Sequence, residues 1–194
     1  MTKLPQVILA SASPRRQELL KYLFPEFEVL PSGAPEDASG HPAGQVVTLA
    51  LRKARDIAQR HPGALVIGAD TLVAISAPGT FRDRVLGKPQ DETEAAAMLR
   101  LLSDRTHRVY TGVAALFGGQ ERTEYCMTRV TFAPLSDDEI AGYIATREPM
   151  DKAGAYGIQG FGAKFIRKVN GCYFNVMGLP LRTLYTMLKE MGLL

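Results

Sequence analysis

The sequence predicts an α/β fold, a mixed central sheet flanked by helices, and three observations carry that reading. Stretches with helical apolar spacing alternate with strand-like runs along the whole chain. One run, Ala64–Ile75, is apolar almost throughout, as a strand covered on both faces must be. Two long strand patterns, Arg108–Phe117 and Glu124–Phe132, follow one another with no helix between them. They are expected to pair as a hairpin, which makes the sheet mixed rather than purely parallel.

Taken in order, Val7-Ile8-Leu9-Ala10 is a short buried strand. Ser13 then stands where an N-cap belongs, and Pro14 takes the first helical position, where a missing N–H costs nothing. The helix that follows carries Leu19, Leu20 and Leu23. Phe27–Leu30 reads as a second strand and leads into a polar loop ending near Gly44. From Gln45 to Arg60, Val47, Ala50, Leu51, Ala54 and Ala58 recur at helical spacing, which places Lys53 at the margin of the apolar stripe beside Val46 and Ile57. After the Ala64–Ile75 strand a capped helix starts near Asp91, with Glu94 three residues on and Ala95, Met98, Leu99 and Leu102 along one side. Beyond the hairpin, Ser136-Asp137-Asp138-Glu139 has the spacing of a capping box ahead of Ile140, Tyr143 and Ile144. A loop over Glu148–Gly162 precedes a strand near Lys164–Val169. The last helix opens at Pro180 and carries Leu181, Leu184, Tyr185 and Leu188.

The 194 residues suit one generous domain, and no repeat or long linker divides them, so residues 1–194 are expected to form one unit. Apolar residues make up 46% and charged residues 22%, a mixture that excludes disordered and disulfide-knotted classes. Cys126 and Cys172 lie far apart without CxxC spacing, and His41, His61 and His107 are dispersed. A structural zinc site or a thioredoxin-type motif is therefore excluded. The start, Met1-Thr2-Lys3-Leu4-Pro5, runs into only a short apolar stretch, so no signal peptide is expected. No uncharged apolar run of about 18 residues occurs, and a cytoplasmic protein without membrane contact is expected. The net charge of +3 is too mild to announce a polynucleotide partner. The positive residues come as separate pairs, Arg15-Arg16, Arg52-Lys53, Arg82 with Arg84 and Arg167-Lys168, which suit a phosphate-bearing small molecule at least as well.

Four segments could carry chemistry. Ser11-x-Ser13-Pro14-Arg15-Arg16 falls at a strand-to-helix junction, where free backbone N–H groups and the helix dipole attract anions and guanidinium forks match phosphate oxygens. A capped surface helix with solvated arginines has the same sequence signature. Asp70 lies inside Leu65-Val66-Ile67-Gly68-Ala69-Asp70-Thr71-Leu72-Val73, where a carboxylate is costly unless a metal ion or a cluster of cations compensates it. The bland alternative is an Asp capping a turn at a strand end. Lys53 and Lys88, the latter within Gly87-Lys88-Pro89, stand at element boundaries, where lysines are ordinarily solvated. Asp151-Lys152-Ala153-Gly154-Ala155-Tyr156-Gly157-Ile158-Gln159-Gly160-Phe161-Gly162 is a tightly bent glycine-rich segment without the dinucleotide-binding spacing. No Walker A pattern occurs anywhere.

In this order the four segments resemble the Maf family of nucleotide pyrophosphatases nearly end to end. The matching stretches are Leu9-Ala10-Ser11-x-Ser13-Pro14-Arg15-Arg16, Lys53-Ala54, Gly68-Ala69-Asp70-Thr71, Gly87-Lys88-Pro89, Asp151 to Gly160, Asn170-Gly171 and Gly178-Leu179-Pro180. The resemblance implies two lobes around a cleft, like the inosine-triphosphate pyrophosphatases, and hydrolysis of a nucleoside triphosphate to monophosphate and pyrophosphate with a divalent cation, Mg²⁺ or Mn²⁺. It implies that Asp70 is the proton acceptor and a metal contact, with Glu36 a further acidic member of the metal site. Ser13, Arg16, Lys53 and Lys88 are implied triphosphate contacts. The stretch Ser76–Arg84 looks longer than the family's turn before Gly87. Three positions at which subgroups differ read Arg15, Thr71 and Gln159 here, a combination similar to the dTTP and UTP subgroup rather than the 7-methyl-GTP one. Chemistry agrees: a Gln amide offers the donor and acceptor that pair with the imide edge of thymine or uracil, whereas a carboxylate suits the adjacent donors of guanine.

The expected partner is thus a small-molecule nucleotide, with no stable nucleic-acid or membrane contact and with a homodimer left open. Two other readings compete. A phosphate- or nucleic-acid-binding module without turnover would show steep salt dependence and no pyrophosphate release, but it conflicts with a buried Asp70 that repels a polyanion. A phosphomonoesterase would release orthophosphate from the same cradle.

Overall fold

The computed structural model describes residues 5–76 and 83–194. Residues 77–82, which include Arg82 and most of the turn expected to be long, lie outside the described residues, as do residues 1–4.

The described elements are β1 (Val7–Leu9), α1 (Pro14–Leu20), β2 (Glu28–Val29), α2 (Pro42–Ala58), β3 (Leu65–Ser76), β4 (Asp83–Leu86), α3 (Glu92–Leu102), β5 (Thr106–Phe117), β6 (Gln120–Phe132), α4 (Asp137–Ala145), β7 (Ile166–Asn170), α5 (Tyr173–Met177) and α6 (Leu181–Glu190). Three short 3₁₀ turns, Glu148–Asp151, Ala153–Ala155 and Gly160–Phe165, lie along the glycine-rich segment, with Tyr156 to Gln159 outside them. The strands are hydrogen-bonded in the order β2-β1-β3-β5-β6-β7, with β4 on β3. β1 is parallel to β2 and β3, whereas β3–β4 and β6–β7 are antiparallel, so the sheet is mixed as expected. β5 and β6 are joined by Gly118 and Gly119 at φ 57° and 79°, the left-handed pair that a two-residue hairpin demands.

The chain forms two compact units, Met1–Thr71 with Thr111–Cys126 and Gly178–Leu194, and Leu72–Tyr110 with Met127–Met177. Neither is one continuous stretch, because β3, β5 and β6 each run from one unit into the other. In the first unit α2 lays Ala50, Ala54 and Ile57 on Ile8 and Ala10, on Val66 of β3 and on Ala114 and Leu116 of β5. Two glycines make that packing close. A Cβ on Gly68 would meet the Ala50 carbonyl oxygen at 2.2 Å, and one on Gly112 would meet that of Val46 at 2.3 Å. The second unit packs Val73 and Ile75 with α3, α4, Phe132, Tyr156 and Phe165.

Side-chain caps foreseen in the sequence start two of the helices. Asp91 accepts the N–H of Glu94, and Ser136 with Glu139 forms a full capping box. Ser13 is different. It occupies the N-cap position of α1, but its hydroxyl makes no cap bond, and its own N–H donates to the Ser11 hydroxyl at 3.3 Å. The expected stripe of α2 is also rotated. The buried set is Pro42, Val46, Leu49, Ala50, Lys53, Ala54 and Ile57, so Lys53 lies within the packed face rather than at its margin. Hydropathy assigns a lysine to solvent; here carboxylates compensate its charge. The five-residue α5 has no counterpart among the expected elements.

Candidate functional site

The first unit gathers charge on both faces of β3 around Asp70 and Thr71. Side chains alternate along a strand, so Gly68 and Asp70 share one face and Thr71 takes the other. The bare Gly68 lets α2 approach closely enough for Lys53 to reach Asp70. The Lys53 ammonium donates to Asp70 Oδ1 at 2.7 Å and to Glu36 Oε1 at 2.6 Å. The Lys53 and Asp70 side chains are each 11% exposed and that of Glu36 is 68% exposed, so one end of the cluster is dry and the other wet.

On the other face Arg16 is fixed by three bonds. Its Nε donates to the Gly178 carbonyl at 2.8 Å, Nη1 to the Ser11 hydroxyl at 2.9 Å and Nη2 to the Thr71 hydroxyl at 3.0 Å. Thr71 in turn shares a hydrogen bond of 2.9 Å with the buried Thr111 hydroxyl. A guanidinium has five N–H donors, so two remain for a ligand once these three are used. Burial pulls the Arg16 guanidinium below its ordinary value, with Asp70 and Glu36 opposing the shift and Arg15 adding to it. Asp70, Glu36, Arg15 and Arg16 therefore sit within one electrostatic neighbourhood.

Of the residues expected from the sequence, Ser13, Arg15, Arg16, Glu36, Lys53, Asp70 and Thr71 all belong to the first unit, and Lys88 and Gln159 to the second. Lys88 is exposed, and the Gly87 carbonyl beside it accepts the N–H of Gly154 at 2.9 Å, which ties that turn to the glycine-rich segment. Gln159 is half-buried on extended backbone. Sequence reasoning missed Thr111, and it assigned no role to the Gly178 carbonyl. Gly178 lies within the quoted Gly178-Leu179-Pro180, a glycine just ahead of a helix-opening proline, and its φ of +107° is one that glycine adopts freely.

Among the described residues no group of three or more His, Cys, Asp or Glu gathers to hold a metal ion. A hard divalent cation ordinarily takes one or two carboxylates and fills its shell with water and substrate phosphates, and Lys53 brings two carboxylates, Asp70 and Glu36, to one place. The residues fit such an ion. An open groove along α2 offers no comparable site: Arg52, Arg55 and Arg60 in its wall pair with Asp37, Glu121 and Asp56. No helix of the described residues is long and apolar enough to cross a membrane.

The chain matches the family described as Maf-like protein over residues 6–191. It is 48% identical over 190 residues, 96% of this chain and 99% of the relative, to a protein of Carboxydothermus hydrogenoformans named dTTP/UTP pyrophosphatase. Proteins of the same name from Bacillus cytotoxicus and Symbiobacterium thermophilum are 49% and 50% identical, covering 94% and 96% of this chain and 94% of each relative.

Proposed function

The chain belongs to the Maf family, and on that premise we propose that it hydrolyses dTTP and UTP to the monophosphate and pyrophosphate by attack of water at the α-phosphorus. The observation that carries this reading is the buried Asp70 carboxylate held by Lys53 beside Arg16. A carboxylate in a dry, cation-lined setting can orient a water and accept its proton. The same cations offset the several negative charges of a triphosphate.

Each residue has a task in this account. Asp70 positions and deprotonates the attacking water. Lys53, restrained by two acids, offers a fixed cation at low reorganisation cost, and Arg16 keeps two donors for phosphate oxygens. Ser13 and Arg15, at the start of α1, and Lys88 supply further phosphate contacts. Losing one such contact typically costs ~3 kcal/mol in the barrier. A Mg²⁺ or Mn²⁺ ion on Asp70 and Glu36 would spread the charge developing on the phosphate oxygens. Thr71 sets the guanidinium of Arg16, and Gln159 reads the imide edge of the base. The same reading takes the enzyme as cytoplasmic and leaves it free to pair as a homodimer.

A panel of nucleoside triphosphates with Mg²⁺ or Mn²⁺, scored for pyrophosphate and monophosphate, tests the proposal. Equimolar UMP and pyrophosphate from UTP is the expected result. Release of orthophosphate, or no turnover with either pyrimidine nucleotide, overturns it.

A further inference from the structure

In the second unit one carboxylate organises the glycine-rich loop. Glu148 Oε2 accepts the backbone N–H of Phe161 at 2.8 Å, and Oε1 accepts the N–H of Gly162 at 3.1 Å and the Tyr143 hydroxyl at 2.8 Å. The same Tyr143 oxygen accepts the N–H of Gly157 at 3.0 Å. The backbone two residues before Gln159 and two residues after it is thus tied to one acid and its tyrosine.

The glycines permit this approach and leave it no slack. A Cβ on Gly160, whose φ is +75°, would stand 2.4 Å from Glu148 Oε2, and one on Gly162 would stand 2.7 Å from the Tyr143 hydroxyl. Burial pushes the Glu148 carboxyl up, but the Phe161 N–H, the Tyr143 hydroxyl, the Gly162 N–H and Lys152 outweigh it and hold the group below the ordinary carboxylate range. A charged acid that accepts two backbone N–H groups restrains a loop better than packing alone, because such bonds are short and directional. Recognition of an imide edge needs that restraint, since a mobile amide loses orientational entropy at each binding event.

We propose that Glu148 is a positioning residue for base recognition: it fixes the backbone from Gly157 to Gly162 so that the Gln159 amide is presented in one orientation to the pyrimidine. The inference rests on the base-reading role given to Gln159 above. Glu148 itself touches no substrate.

The test is steady-state kinetics with UTP and GTP in the presence of Mg²⁺, on the wild type, Glu148→Gln, Gln159→Ala and the double variant. Glu148→Gln keeps one acceptor but turns an amide N–H₂ toward a backbone donor. It is expected to raise KM for UTP roughly tenfold, the worth of one charged hydrogen bond, while kcat at saturation and KM for GTP hold within about twofold. Added to Gln159→Ala, it should raise KM for UTP little further. Equal losses on both nucleotides, full additivity in the double variant, or no effect while Gln159→Ala raises KM for UTP would overturn the proposal. If Gln159→Ala leaves the UTP-to-GTP ratio unchanged, the base-reading premise fails and the positioning role with it. Gly160→Ala, which crowds Oε2 without altering Glu148, decides the matter if Glu148→Gln does not fold. It should reproduce the selective rise for UTP, and an unchanged KM for UTP overturns the proposal.

Discussion

In the first unit Lys53 and Asp70 keep their charges out of water, with Glu36 at the wet end; in the second, His107 and Tyr156 are buried as neutral groups. His107 Nε2 shares a hydrogen bond of 2.8 Å with the Tyr156 hydroxyl, and both rings meet Phe132 edge-on at centroid distances near 5 Å. His107 Nδ1 has no partner among the described residues, and burial pushes the ring down to about 3. The second cluster solves burial by giving up charge; the first solves it by pairing. Pairing is the costlier route, because a neutral or apolar set of similar volume often stabilises as well or better. Charge kept at that cost is the physical argument behind the proposal that places the chemistry at Asp70.

The comparison breaks first at Lys53. Lys53→Met should leave Asp70 buried without its cation, lowering stability by ~3 kcal/mol in urea unfolding and turnover of UTP by about 100-fold or more. A variant as stable as the wild type would mean that the ion pair does not compensate Asp70.

The neutral cluster predicts an acid limit. Above pH 6.5 the ring is uncharged in both states; between 6.5 and about 3 only the unfolded chain takes up the proton. The contribution of His107 is therefore present at neutral pH and lost as pH falls through that window, by up to ~4 kcal/mol at its foot. Urea unfolding of the wild type and His107→Gln at pH 7, 5 and 4 reads it as a shallower acid slope in the variant.

A smaller effect is expected at Gly68. The Cβ of Gly68→Ala would collide with the Ala50 carbonyl oxygen, so α2 must move away from β3 and take Lys53 with it. A cost of ~1–3 kcal/mol in unfolding should come with a fall in kcat that exceeds the loss of stability. Gln159→Glu should have the smallest effect. Activity on UTP relative to a guanine nucleotide is expected to fall about tenfold with stability unchanged, measured as a ratio of kcat/KM.

What could be read in the sequence was local chemistry. Pro14 marked a helix start, Ser136 with Glu139 marked a capping box, and Asp70 declared itself as an acid inside an apolar run. What could not be read depended on partners distant in the chain. Lys53 is drawn into the buried face of α2 by acids 17 residues away on either side, so hydropathy misplaces it. Arg16 is seated by a carbonyl 162 residues later, and Thr111 joins through a hydroxyl 40 residues from Thr71. The need for Gly112 comes from α2 crossing β5, which no property of its neighbours announces. The motif around Gly178 was visible, but its use as an acceptor for Arg16 was not.

The central claim rests on Asp70, and Asp70→Asn tests it with almost no change of shape, since the amide oxygen can still accept from Lys53. Single-turnover hydrolysis of UTP with Mg²⁺, followed by pyrophosphate release, should slow by roughly 1,000-fold while the unfolding transition stays near that of the wild type. A folded Asp70→Asn protein that turns UTP over within about tenfold of the wild-type rate would contradict the account.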